Sequence, residues 1–308
     1  MTASEIDRSE RLHGLDALRA AALLLGVVLH ATLSFFPTPI WIVADDQRSV
    51  WASGLFFAIH LFRMATFFLI AGLFAHGLLN RRGVVGFAID RLTRIAAPLA
   101  VFWGVILAAI VAVLIWNASL QGLTAADAPP PPKYDWTDVP LTHLWFLWVL
   151  LIFYAALLIL RAAFGALDRK GDGARALDRL TAGLTGPWGP LVLGAPVAVA
   201  LWLEPNWNAF FGVPTPDHGL IPNAAALVGF GTAFGFGVLL DRRRDLLGRI
   251  QAWTPACLGL ALVVGAMALM LAGGPDPRLT PLTDPSIKAA AAAAFGVATF
   301  ASVFAAVG

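Results

Sequence analysis

Cysteine is almost absent from this sequence, because Cys257 is the only one among 308 residues. A single cysteine excludes an intrachain disulfide and a metal centre built from several cysteines. Cys257 lies in an apolar stretch, so we expect it to serve packing, and we predict no metal site.

Charged residues are also scarce. They make up 13% of the chain, whereas hydrophobic residues make up 59% and the mean hydropathy is +0.77. Average soluble domains contain about 25% charged residues, so polar groups could not cover the surface of a soluble protein with this composition. The composition therefore predicts an integral membrane protein in contact with the lipid bilayer.

Long apolar stretches recur along the whole chain. A helix needs about 20 predominantly apolar residues to cross a bilayer. We therefore predict an all-α fold, a polytopic transmembrane helix bundle of about eight spans with no soluble domain between them. The predicted spans are 15–36, 51–79, 95–116, 143–164, 188–203, 220–240, 253–272 and 287–307.

Arginine and lysine are distributed unevenly between the loops. Fourteen lie in the N-terminal tail and in loops 80–94, 165–187 and 241–252, against four in the alternate loops and at the rim of the last span. By the positive-inside rule the first set faces the cytoplasm, so the N-terminus is predicted to be cytoplasmic. No basic cluster is interleaved with stacking aromatics, so no nucleic-acid partner is predicted. Prolines 129–132, in an alternate loop, predict a stiff external connector.

The first predicted span includes LDALRAAALLLGVVLH, with a charge pair near its start and a histidine near its end. Charged groups are costly in an apolar segment, so each needs a partner, a wet cavity or a function. Eleven residues separate Arg19 from His30, which on a helix is about three turns and about 16 Å of rise, so the two share a face. Asp16 lies one turn before Arg19 and can hold its guanidinium.

The second predicted span runs in the opposite direction and carries His60 and Arg63 one turn apart. They lie about 14–18 Å from its outer end, at a depth comparable with that of His30. An arginine near the middle of the membrane costs roughly 2.5–3.5 kcal/mol on insertion scales. These groups therefore favour a polar cavity inside the bundle over a network that only joins helices. We interpret His76, further along the same helix, as a packing or interfacial residue.

Histidines and an arginine at mid-membrane depth are also typical of proton-coupled transporters. A membrane transporter of a small polar or anionic solute is therefore the alternative function. Transporter folds often show internal repeats and broken helices in corresponding positions. Neither is evident in the first four predicted spans.

Two further motifs carry candidate binding residues. Arg91 and Arg94, one turn apart before the third span, either mark the cytoplasmic side or bind phosphates through bidentate hydrogen bonds. The fourth span opens at its outer end with HLWFLWVL, which starts at His143. Its aromatics fit an interfacial belt, and His143 beside Trp145 is placed to contact a substrate at the mouth of the cavity.

These motifs, in this order, resemble those of membrane-bound acyltransferase family 3, in particular the branch that succinylates osmoregulated periplasmic glucans. The likeness covers about residues 11–150. It is carried by LDALR followed by His30, IHLFRMATFFLIAG at 59–72, Arg91 and Arg94 before Pro98, and THLWFLWVL at 142–150. Family members usually have about ten helices and a further histidine motif in a late one. We treat 1–308 as a single integral membrane acyltransferase domain, with C-terminal truncation left open.

The resemblance implies an O-acyltransferase of the inner membrane that moves a succinyl or acetyl group from cytoplasmic acyl-coenzyme A to a hydroxyl of an extracytoplasmic glycan. Acyl-coenzyme A is then a co-substrate, and no bound cofactor is expected. Histidine titrates near neutral pH, so His30 is the predicted general base, with a transient acyl-carrier role left open. The predicted substrate-binding residues are Arg19, Arg91, Arg94, Asp16, His60, Arg63, His143 and Trp145.

Overall fold

Helices make up most of the described chain. The computed structural model describes residues 3–41, 43–123 and 138–308, with side chains in the first helix only from residue 13 onward. The predicted connector at prolines 129–132 lies outside the described residues. Within them we find no β-strand, and Pro140 and His218 form an isolated bridge. The helices are α1 (Ala3–Thr32), α2 (Val50–Arg91), α3 (Ala97–Leu120), α4 (Trp145–Leu167), α5 (Asp172–Leu184), α6 (Gly189–Leu203), α7 (Ala224–Arg242), α8 (Leu247–Leu271) and α9 (Pro285–Val307).

Six helical segments of the described chain are long and apolar enough to cross a membrane, or up to seven if the bent pair α5 and α6 forms one span. This confirms the predicted all-α, multi-pass class. The predicted number of eight is approximate. The continuous segment Val50–Leu120 holds two of the predicted spans, 51–79 and 95–116.

Helix α2 continues through most of the predicted loop 80–94, so that loop prediction is wrong. The helix kinks at Gly83, where φ is 68° and ψ is −177°, a left-handed conformation that favours glycine. A π-helical turn, Leu92–Ala96, then leads into α3. Arg91 and Arg94 therefore lie on helical backbone, and π-helical turns are frequent at functional sites.

The predicted loop 165–187 contains α5, which was also missed. Asp168 precedes this helix, and its carboxylate accepts hydrogen bonds from the N–H groups of Ala174 at 2.8 Å and Gly173 at 3.1 Å. These bonds hold the pKa of the Asp168 carboxyl below its ordinary value. Helix α6 follows at an angle of 101° to α5, so the two form a bent pair rather than one straight span.

Glycines let the backbones of the central helices approach closely, as is typical of membrane bundles. A Cβ at Gly72 on α2 would overlap the carbonyl of Phe234 on α7, and a Cβ at Gly237 on α7 would overlap the carbonyl of Leu69 on α2. Helices α6 and α9 approach each other in the same way. These contacts fix α2 against α7 and so set the position of the residues that α2 carries.

Small buried residues pack in α8 and α9. Cys257 is buried in α8 and only 5% exposed, which confirms its expected packing role. In α9, Ala291, Ala292 and Ala294 of the alanine run at 289–294 are buried.

Candidate functional site

Four of the predicted site residues lie together in what we call the histidine cluster, which consists of His30, His60, Arg63 and His143. The rings of His30 and His143 meet edge to face, with centroids 4.5 Å apart. His30 interacts electrostatically with His143 and Arg63, and His60 interacts with Arg63 and His30. Three separate parts of the chain, α1, α2 and the 3₁₀ turn before α4, thus place titratable side chains at one point.

Several polar atoms of the histidine cluster are buried without a protein partner. Nδ1 of His30, Nδ1 of His60 and Nε of Arg63 have no hydrogen-bond partner among the described residues. A cavity of about 20 Å³ borders His60, which is room for one water molecule. Buried polar atoms are normally hydrogen-bonded, so these three are free to receive a ligand or water.

A short crossing of two segments holds His143 in place. Pro140 bridges His218, and the N–H of Thr142 donates to the carbonyl of Asp217 at 3.1 Å. Thr142 has φ of 49°, the one positive φ outside glycine in the described chain. Such strain costs about 1–3 kcal/mol and clusters at functional sites. No sequence pattern indicated this strained residue beside His143.

A second group of polar residues, which we call the arginine cluster, contains Arg19, Asp90, Arg91, Arg94 and Tyr154. The side chain of Asp90 is 5% exposed and pairs with three arginines. Nη1 of Arg82 lies 3.1 Å and Nε of Arg94 lies 3.4 Å from Oδ1 of Asp90, and Arg91 contacts Oδ2. One buried carboxylate therefore holds several guanidinium groups close together.

The arginines of this cluster differ in their exposure. Arg91 is 20% exposed, and its Nη1 donates to the hydroxyl of buried Tyr154 at 3.3 Å. Arg94 is 72% exposed. Arg19 forms the expected ion pair with Asp16 at 3.1 Å and also interacts electrostatically with Tyr154. Arg91 is thus fixed by its neighbours, whereas Arg94 is available to an incoming anion.

Helix α1 carries a member of both clusters, and so does α4 together with the 3₁₀ turn Thr142–Leu144 that leads into it. On α1, eleven residues separate Arg19 from His30, and the same number separates His143 in that turn from Tyr154 on α4. Each interval corresponds to about 16 Å of helical rise. The chain reaches the arginine cluster first on α1 and the histidine cluster first on the segment from His143 to Tyr154. The two clusters therefore lie at different depths of the bundle.

Two predicted site residues belong to neither cluster: Asp16, which contacts the arginine cluster through its ion pair with Arg19, and Trp145. Trp145 is 7% exposed and packs against Phe68 and Phe230, with ring centroids 6.3 and 5.3 Å away. This position favours a packing role, and its substrate contact stays a prediction. Asp90 and Tyr154 were missed from the sequence. The only signal for Asp90 was its place directly before Arg91 and four residues before Arg94.

His76 belongs to a separate polar network. Its Nδ1 lies 2.7 Å from Oδ2 of Asp241, whose side chain is 4% exposed and also pairs with Arg244. This network joins α2 to the end of α7, which fits the packing role interpreted for His76. In the part of the chain that the structure describes, no group of three or more His, Cys, Asp or Glu residues is placed to hold a metal ion.

Comparison with known proteins identifies the family. The chain matches the family described as acyltransferase domain over residues 12–306. It therefore belongs to this acyltransferase family, and the likeness extends well beyond residue 150, where the quoted motifs end. The family match favours an acyltransferase over the alternative transporter.

Curated proteins are similar in sequence to part of this chain. It is 30% identical over 151 residues to the glucans biosynthesis protein C of Shigella dysenteriae serotype 1 (strain Sd197) and of Escherichia coli (strain K12). It is 28% identical over the same length to that of Escherichia coli O6:K15:H31 (strain 536 / UPEC). Each match covers 47% of this chain and 37% of the relative. No solved structure matches.

Proposed function

We propose that this membrane protein transfers an acyl group from cytoplasmic acyl-coenzyme A to a hydroxyl group of an extracytoplasmic glycan. The observation that carries the proposal is the pairing of the two clusters on α1 and again on the segment from His143 to Tyr154, with about 16 Å of rise between the clusters on α1. A donor with a charged head and a long thioester arm fits such a separation. The head would bind at the arginine cluster while the thioester reaches the histidine cluster.

The arginine cluster supports the donor half of the proposal. Coenzyme A carries several phosphate charges, and guanidinium groups bind phosphate through two parallel hydrogen bonds. Asp90 offsets part of the positive charge and keeps the arginines in place, while Arg94 extends outward at 72% exposure. In the proposed orientation the N-terminus and this cluster face the cytoplasm, where acyl-coenzyme A is found.

The histidine cluster supports the acceptor half. His30 has an unpartnered Nδ1, which can accept the proton of a hydroxyl group as that oxygen attacks the thioester carbonyl. The reaction forms a C–O bond, breaks the C–S bond and leaves free coenzyme A after His30 returns the proton to the thiolate. His143 and His60 lie in the same cluster, and we propose that they contact the acceptor.

The identity of the acceptor and of the acyl group is also proposed. The relatives named glucans biosynthesis protein C support a glucan acceptor, and we propose the inner membrane as the location. The chain spans 37% of the length of these relatives. On this likeness we propose succinyl or acetyl as the transferred group, with acyl-coenzyme A as co-substrate and no bound cofactor.

Membrane vesicles of known orientation test the proposal. Inverted vesicles that contain the protein, with glucan enclosed, receive radiolabelled succinyl- or acetyl-coenzyme A from outside. We expect label in the enclosed glucan, because the outer face of an inverted vesicle is the cytoplasmic one. Right-side-out vesicles serve as the control. Label in the glucan only when donor is supplied on the extracytoplasmic side, or no label in either orientation, would contradict the proposal.

A further inference from the structure

We propose that Arg63 contacts the carbonyl oxygen of the acyl thioester and stabilises the negative charge that develops there. Gly26, which has no side chain, leaves the space that positions the guanidinium group of Arg63. This inference rests on the proposed acyl transfer. It gives Arg63 a role in the chemical step, distinct from the binding of donor or acceptor.

The first observation is the close approach of Arg63 to α1. A Cβ on Gly26 would overlap Nη1 of Arg63. Gly26 is buried and lies four residues, about one helical turn, before His30. The guanidinium therefore rests on bare backbone beside the proposed general base, at a point where any side chain on α1 would displace it.

The second observation is the lack of a counter-charge. Among the ion pairs of the described residues, none involves Arg63. Its buried Nε has no hydrogen-bond partner there either. By contrast, Arg91 and Arg94 share the carboxylate of Asp90, and Arg19 pairs with Asp16. A charge kept unpaired in a membrane segment is costly, and it suits a site in which negative charge appears only during the reaction.

The chemistry of acyl transfer supplies that charge. When the acceptor oxygen forms a bond to the thioester carbon, the electron pair of the C=O bond moves to the carbonyl oxygen. Donors arranged beforehand around this oxygen lower the barrier, and removal of one such donor typically costs about 10²–10³ in kcat. The N–H groups of Arg63 are donors next to His30, which takes the proton of the attacking hydroxyl.

Gly26→Ala tests the role of Arg63 without changing any residue that carries chemistry. The new methyl group meets the end of a flexible side chain, so the helix is expected to fold while the guanidinium shifts. Gly14→Ala is the matched control, because it lies on the same helix and a Cβ there meets nothing within 4 Å. We expect Gly26→Ala to lower kcat about 10–10²-fold, with KM for acyl-coenzyme A and the unfolding temperature unchanged.

Arg63→Met provides a second variant, with an expected fall in kcat of about 10²–10³. The slow hydrolysis of acyl-coenzyme A, with water in place of the acceptor, is measured alongside transfer. In both reactions the negative charge develops on the thioester carbonyl oxygen, so both rates are expected to fall by the same factor. Loss of transfer with normal hydrolysis would assign Arg63 to acceptor binding and overturn the inference.

Two further outcomes separate the inference from the proposed function. Normal kcat in a folded Arg63→Met protein overturns the role of Arg63 and leaves acyl transfer standing. If Gly26→Ala retains normal kcat, or if kcat of Gly14→Ala falls as much, the positioning role of Gly26 is overturned. If the unaltered protein transfers no acyl group, the proposed function fails and this inference fails with it.

Discussion

Replacement of Arg94 by alanine is expected to weaken the binding of acyl-coenzyme A without unfolding the protein. The side chain is 72% exposed, and its ion pair in the described structure is with Asp90 at 3.4 Å. Asp90 keeps Arg82 and Arg91 as partners after the change. Because Arg94 is exposed and Asp90 keeps two other partners, we expect a loss in stability of about 0–1 kcal/mol.

The expected loss in affinity is larger than this loss in stability. A hydrogen bond from a charged donor to a phosphate is worth about 1.5–3 kcal/mol, which corresponds to roughly a 10–150-fold rise in Kd. Arg94→Lys keeps the charge but not the planar fork, so its Kd should be intermediate. Isothermal titration of the purified protein with acyl-coenzyme A measures these values directly.

Arg175→Ala is the matched control for Arg94→Ala. Arg175 lies on α5, is 62% exposed and pairs with Asp172. Its loss removes the same charge from the same predicted face of the membrane. If both alanine variants bind the donor with the same Kd, the arginine cluster contributes only general charge, and Arg94 is a marker of topology rather than a donor contact.

Two further predictions concern the fold and the orientation. Gly237→Ala should lower the unfolding temperature in a thermal shift assay, because its Cβ would overlap the carbonyl of Leu69, whereas Gly235→Ala, with nothing within 4 Å, should not. Equal unfolding temperatures would mean that α2 and α7 separate freely. Single cysteines at positions 85 and 130, in a protein without its own cysteine, should react with an impermeant reagent only from the cytoplasmic and the outer side respectively. The reverse pattern would invert the proposed topology.

The residues of the histidine cluster on α1 and α2 could be predicted because their depth follows from helical rise. The common depth of His30, His60 and Arg63 needs only the spans and their directions. What joins them to His143 could not be predicted in this way. The edge-to-face contact with His30 depends on the strained Thr142 and on a bridge to residue 218, a pairing between segments far apart in sequence.

The structure around the arginine cluster could not be predicted from the sequence. Charges between spans indicated a loop at 80–94, because charged residues normally end a membrane helix. Helix α2 continues there instead, with a kink at Gly83, and the burial of Asp90 depends on the three-dimensional approach of its arginine partners. In the sequence, Tyr154 is one more aromatic residue in an apolar helix. Only its hydrogen bond with Arg91 shows that it belongs to the arginine cluster.

Helix α5 was missed for a related reason, whereas α6 matches the predicted span 188–203. Helix α5 has 13 residues and is too short and too polar to be recognised as a span. It is stabilised from outside by contacts such as the ion pair between Arg242 of α7 and Asp178 at 2.9 Å. Tertiary contacts of this kind leave no periodic signal in the sequence, so hydropathy alone indicates a linker.

The central claim is that His30 takes the proton of the acceptor hydroxyl, and the rate of acyl transfer by His30→Gln tests it most directly. The amide of glutamine can hydrogen-bond a hydroxyl but cannot take its proton. In proteoliposomes with acyl-coenzyme A and glucan, with the product quantified by mass spectrometry, we expect a loss of about 10²–10⁴ in rate with unchanged donor Kd and unfolding temperature. Transfer near the normal rate by a stable His30→Gln protein would contradict the claim.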